Sequence, residues 1–164
     1  MQLQLIFSTN VTLLKVGGAI IGKSTEIAEK LYKSKQLPGP PRYVVVISTH
    51  LKRNLTEDEV NAIYYHELGH FVLGHLFGHR SLLSPRSKEL EADKFSAKKV
   101  GADVMLSALQ KVPSIISKCR ALRNSSTTDR TDTEYEEAMH KLITRKENEM
   151  QFRYNALKRM MLII

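Results

Sequence analysis

The chain has 164 residues, 42% of them hydrophobic and 26% charged. A chain of that length buries about 70% of the surface its unfolded form exposes, which excludes disorder by excess charge and a fibrous architecture as starting points. The formal charge of +8 is spread evenly, with 14 basic and 10 acidic residues up to position 110 and 11 and 7 beyond it. An even excess lacks the clustered basic stripe of a nucleic-acid reader, so nucleic acid is not expected as a partner.

In chain order, residues 2–16 carry an alternating and then β-branched apolar pattern around Ser8-Thr9-Asn10, which predicts two short strands joined by a turn. The same region does not read as a signal peptide, because polar residues break it and no basic residue precedes it. From Ser24 a polar-capped segment with Ile27 and Leu31 four apart predicts a helix, stopped by Pro38-Gly39-Pro40-Pro41. Tyr43-Val44-Val45-Val46-Ile47-Ser48 has the β-branched content of a strand. Thr56 and Glu59 have capping-box spacing, and Val60, Ile63, Tyr64, Phe71 and Val72 recur at helical intervals, predicting a helix over about 57–77 with Gly78 as its stop. Ser84-Pro85 opens another helix, ending at Gly101. Asp103 caps a third, which Pro113 is expected to end. Residues 123–131 read as an exposed polar loop, and 132–161 as a last helix. The expected architecture is a single α+β domain over 1–164, a small sheet packed on several helices. No run approaches 18 apolar residues, so no transmembrane helix is expected. Cys119 is the only cysteine, and together these features suggest a soluble, cytoplasmic protein.

His66-Glu67-Leu68-Gly69-His70 falls inside the predicted helix over 57–77. Residues four apart on a helix stand one above the other, so both imidazoles project from one face and can share one metal ion. Zn²⁺ accepts imidazole nitrogen at about 2.0–2.1 Å, and a catalytic zinc keeps three protein ligands and a water. Glu67 is then placed to take a proton from that water as general base. The third ligand cannot come from the metzincin pattern, because Leu73 and Leu76 occupy the positions where it needs Gly and His. The next helix offers Glu89-Leu90-Glu91-Ala92-Asp93. Glu89 and Asp93 share a face, so Glu89 can be the third ligand and Asp93 can accept the free N–H of a ligand histidine. Glu91 points about 200° away from Glu89 and is expected in solvent.

The succession of HELGH, a short connection and ELEAD opening a second helix resembles the gluzincin zinc peptidases. The closest likeness is to the HtpX / CAAX prenyl endopeptidase family and its short soluble members, the minigluzincins, over about residues 43–112. The resemblance implies that Glu89 binds zinc and Asp93 supports a ligand histidine. It also implies that the strand before the metal helix, Val44, Val45, Val46, Ile47 and Ser48 with Tyr43, is the edge that holds an extended polypeptide substrate, a mode in which main-chain hydrogen bonds carry the affinity. Only residues 71–88 separate the two motifs here, where membrane relatives insert hydrophobic spans. Relatives also carry His-Pro followed by Arg near the carboxyl end, the His helping to stabilise the transition state. In this chain Arg153 is kept and the His position holds Glu147. Arg153, Tyr154 and His140 are the candidates for that role.

Gly17-Gly18-Ala19-Ile20-Ile21-Gly22-Lys23-Ser24 matches a phosphate-cradling loop, but the apolar strand that follows ends in Ser48-Thr49 without the Asp such a site uses for its metal. Nucleotide binding is therefore not expected. The expected activity is a zinc-dependent metalloendopeptidase with one Zn²⁺ held by His66, His70 and Glu89. Its rivals are a non-catalytic zinc-binding interaction module and a repressor-cleaving peptidase of the ImmA type. The latter also uses HELGH but reads ExxAN where this chain has Asp93.

Overall fold

A computed structural model describes residues 3–34, 42–125 and 133–162. Three strands form one sheet in the order β1 (Leu3–Ser8), β3 (Tyr43–Ser48), β2 (Ala19–Lys23). β3 runs parallel to β1, with Leu3 opposite Tyr43 and Ser8 opposite Ser48, and antiparallel to β2, with Ala19 opposite Ile47 and Lys23 opposite Tyr43. Alternate residues of β3 enter two different cores. Val45 and Ile47 join Ala19, Ile21, Leu109 and Val112 on one face, while Val44 and Val46 meet Leu13, Ile27 and Leu31 on the other. Burial on both faces is what an uninterrupted Val-Val-Val-Ile run requires. The protein is α+β and mostly helical, with six α-helices among the described residues: α1 (Ser24–Tyr32), α2 (Thr49–Asn54), α3 (Glu57–Val72), α4 (Pro85–Val100), α5 (Ala102–Ser125) and α6 (Thr133–Leu162).

Several boundaries differ from the sequence-based expectation. Residues 11–16 form a 3₁₀ helix, not a second strand; the Asn10 side chain accepts from the Thr12 amide and caps it. The chain then turns through Gly17 and Gly18, both at positive φ (96° and 90°), into β2. A Cβ on Gly18 would lie 2.6 Å from a Leu51 methyl, so this glycine makes room for the core and the turn. The Gly17–Ser24 motif is thus a turn, strand β2 and the first residue of α1, not a phosphate loop; its β2 residues are paired with β3. α3 ends at Val72, before the expected Gly78. α5 runs through Pro113 to Ser125; burial of Leu106, Leu109, Val112 and Ile116 in the common core outweighs a cost of about 3 kcal/mol for an interior proline. The expected stop at residues 38–41 and most of the expected loop at 123–131 lie outside the described residues.

Two devices fix α3. At its start the Thr56 hydroxyl accepts from the Glu59 amide (3.2 Å) and the Glu59 carboxylate accepts from the Thr56 amide (2.9 Å), the capping box read from the sequence. The other Glu59 oxygen accepts from Ser107 and Lys111 of α5, both at 2.6 Å. Burial pushes the Glu59 carboxyl up, but Lys111, Ser107 and the Thr56 amide outweigh it and hold it at about 2. At the far end α3 meets α4 with Gly69 in the contact. A Cβ there would stand 3.2 Å from the Ala92 Cα and 3.2 Å from the Phe95 ring. The Ser96 hydroxyl donates across the same interface to the Ala62 carbonyl (2.7 Å).

Gly69→Val is expected to cost about 1–3 kcal/mol by overpacking this interface, measured as a lower urea midpoint at unchanged m-value; an unchanged midpoint contradicts the close approach. Glu59 has a lowered folded pKa, so its stabilisation is complete above the unfolded value near 4.5 and is lost as pH falls toward about 2. The difference in unfolding free energy between the parent and Glu59→Gln should therefore shrink by about 1–2 kcal/mol on acidification across that window. A constant difference from pH 6 to pH 2 removes the assignment.

Candidate metal centre

His66 and His70 lie one turn apart on α3, and Glu89 comes from the first turns of α4. Their ligand atoms lie close together, with one oxygen of the Glu89 carboxylate beside each histidine. His66 Nε2 is 3.2 Å from His70 Nε2 and 3.3 Å from Glu89 Oε2, and His70 Nε2 is 3.3 Å from Glu89 Oε1. A tetrahedral shell with metal–ligand distances of about 2.0–2.1 Å has edges of about 3.3 Å, the spacing found here between the two imidazole nitrogens and between each of them and its nearer Glu89 oxygen. The donor set fits as well, because two imidazole nitrogens and a carboxylate oxygen suit zinc. These three residues could hold a metal ion.

The atoms behind the ligands are ordered by α4 and α6. The Asp93 carboxylate, fully buried, accepts from His66 Nδ1 (2.8 Å) and from Arg153 Nε and Nη2 (2.8 and 2.6 Å). A carboxylate can only accept, so His66 carries its proton on Nδ1 and turns Nε2 toward His70 and Glu89. Burial lowers the basicity of His66, but the Asp93 and Glu89 carboxylates reverse that and raise its pKa to about 10. A proton and a metal ion thus compete for the same nitrogen. Burial pushes Glu89 up, while the His66 and His70 rings beside it and the Arg153 charge hold it well below the usual carboxylate range. Asp93, also raised by burial, is held down mainly by the Arg153 charge.

Glu67 faces a cleft of about 380 Å³ that also exposes His66, His70 and Glu89. Burial pushes its carboxyl above the ordinary range, against the opposing pull of His66 and His70. A carboxyl in that state retains an accepted proton better than a solvated one.

Other expected site residues are placed differently. Val44, Val45, Val46, Ile47 and Ser48 do not form an edge. They belong to the central strand, paired on both sides and no more than 1% exposed. The strand that lines the cleft is β2, through Ala19, Ile20 and Ile21. Arg153 does reach the site, but its guanidinium is engaged with Asp93 and, at 3.1 Å, with Glu89. Tyr154 packs against the apolar core. His140 belongs to α6, and its side chain lies outside those described. Two residues missed as site members are His75 and Glu91. Glu91 is not free in solvent: it accepts from His75 Nε2 (2.7 Å) and Arg80 Nη2 (2.5 Å). For His75 and for the burial of Arg153 a sequence signal was available. Gly74 is followed by a histidine five residues after His70, and Arg153 occupies a core position in the stripe Met150, Arg153, Leu157.

Among the described residues no helix is long and apolar enough to cross a membrane. Comparison with protein-family models, with curated proteins and with solved structures returns no match for this chain.

Arg153→Met strips two of the three donors from a fully buried carboxylate and should cost about 3–5 kcal/mol, measured by urea denaturation. Adding Asp93→Asn should recover part of that loss, since the uncompensated charge goes with it. A single-variant cost under about 1 kcal/mol contradicts a buried ion pair of this kind.

Proposed function

We propose that the chain is a zinc-dependent metalloendopeptidase of the gluzincin type, with His66, His70 and Glu89 as ligands and Glu67 as general base. The observation that carries this reading is the convergence of His66 Nε2, His70 Nε2 and the Glu89 carboxylate at separations of 3.2–3.3 Å, beside the cleft that also holds Glu67. When bound, zinc supplies Lewis-acid polarisation of a carbonyl and acidification of water. The protein's own residues do the rest. Asp93 holds the proton of His66 on Nδ1, and Arg153 holds Asp93. A Glu67 carboxylate oxygen accepts the proton of the attacking water and delivers it to the leaving amine, so that peptide hydrolysis needs no other acid. The raised basicity that burial gives Glu67 suits both halves of that transfer.

The substrate-holding edge is reassigned to β2. It ends the sheet, its inner side is paired with β3, and Ala19, Ile20 and Ile21 line the cleft beside His66 and Glu67. An extended peptide added to this edge would lie over the metal-bearing helix with main-chain hydrogen bonds that are indifferent to its sequence.

Metal analysis of the purified chain should find one zinc, and a peptide-library digest read by mass spectrometry should give chelator-sensitive cleavage. Glu67→Gln should keep the zinc and slow cleavage by about 10²–10⁴-fold. Zinc uptake without any cleavage by the parent would favour a non-catalytic zinc module instead, and equal cleavage by the variant would remove Glu67 from its role.

A further inference from the structure

His75 is 3% exposed although the connection that carries it is mostly open to solvent, with Leu76, Phe77 and Leu82 at 42%, 51% and 85%. A polar ring withdrawn from water in such a place is costly unless both nitrogens find partners. Both do. His75 Nδ1 lies 3.0 Å from His70 Nδ1, and His75 Nε2 lies 2.7 Å from Glu91 Oε2.

Glu91 settles the proton positions along this chain. Its other oxygen accepts from Arg80 Nη2 at 2.5 Å, and a carboxylate paired with a guanidinium can only accept, so His75 Nε2 donates. With that proton on Nε2, His75 can present Nδ1 as an acceptor to a His70 Nδ1–H at 3.0 Å, and this is the arrangement assigned to the pair. That leaves the lone pair of His70 on Nε2, the atom that faces His66 and Glu89.

The backbone explains how His75 comes to stand there. The Gly74 amide donates to the Phe71 carbonyl (3.1 Å) and the His75 amide to the His70 carbonyl (2.9 Å), with Gly74 at φ 75°. These are the two bonds of a Schellman motif, in which the residue after the left-handed glycine folds back over the third residue from the helix end. Here those two residues are His75 and His70, and their rings meet edge-on with centroids 5.2 Å apart. Glu91 is in turn gripped by Arg80, from the 3₁₀ turn His79–Leu82.

We infer that His75, held by Glu91 and Arg80, is a positioning residue that fixes the ring orientation and tautomer of His70, as Asp93 and Arg153 do for His66. This rests on the metal-centre reading above. It gives α4 three consecutive outward duties: Glu89 supplies a ligand, Glu91 orders one ligand histidine through His75, and Asp93 orders the other directly.

Zinc affinity measured by competition with a fluorescent chelator tests this, with His75→Leu, His75→Gln and Glu91→Gln compared against the parent. His75→Leu should bind zinc about 10- to 100-fold more weakly. His75→Gln should regain most of the loss, because an amide can both accept from His70 and donate to Glu91, and Glu91→Gln should fall between Leu and parent. Melting of the metal-free variants separates this from a packing role: Leu and Gln should melt alike while differing in affinity. Parent-like affinity in His75→Leu, or equal weakening in Leu and Gln, overturns the inference while leaving the metal centre standing. Should His75→Leu fail to fold, parent-like affinity in Glu91→Gln overturns it. A parent that takes up no zinc removes the metal centre and this role together.

Discussion

Where α3 crosses α4, Gly69 leaves no side chain between the helices, and its missing methyl is the space that the Ala92 backbone and the Phe95 ring occupy. Every ligand distance in the candidate centre depends on that approach, because the two histidines ride on one helix and Glu89 on the other. Helices separated by ordinary side chains stand about 8–10 Å apart, and small residues at a contact bring them to the near end of that range. The hydrogen bond from Ser96 to the Ala62 carbonyl holds a second point of the same interface. Between the histidines of HELGH, glycine therefore serves packing rather than flexibility.

The second constraint is charge. The site concentrates Glu67, Glu89 and Asp93 around two histidines in a region largely removed from water, and each carboxylate taken out of solvent costs several kcal/mol unless partnered. Arg153 is the main compensation, donating to Asp93 through two nitrogens and approaching Glu89 with a third. It also ties the carboxyl-terminal helix to the centre across 60 residues of chain. No buried side-chain nitrogen or oxygen among the described residues lacks a partner. Glu67 alone among these carboxyls keeps a raised pKa, which separates it in chemistry from Glu89 and Asp93, both held low.

The sheet contributes an edge and a wall. With β3 in its centre and covered on both faces, its edges are β1 and β2, and only β2 borders the cleft. The expected substrate edge at residues 44–48 was wrong for a reason visible in the residues themselves: four consecutive apolar side chains have no solvent-facing member, whereas an exposed antiparallel edge alternates. The glycines that imitate a phosphate loop serve the turn into β2 and the packing of Leu51.

Local rules made much of the molecule legible in advance. Capping at Thr56 and Ser84, the spacing of His66 and His70, and the shared face of Glu89 and Asp93 are all set within one or two helical turns, where periodicity and backbone geometry act without help from the rest of the chain. The ends of helices were less legible, as at Gly74 and Pro113, because packing decides whether a local stop is obeyed. What only the tertiary structure decided is which distant groups meet: Arg153 with Asp93, Glu91 with His75, and β2 with the cleft. Those pairings arise when helices and strands far apart in the chain bury a common surface, and a buried charge then takes whichever partner that surface brings within reach.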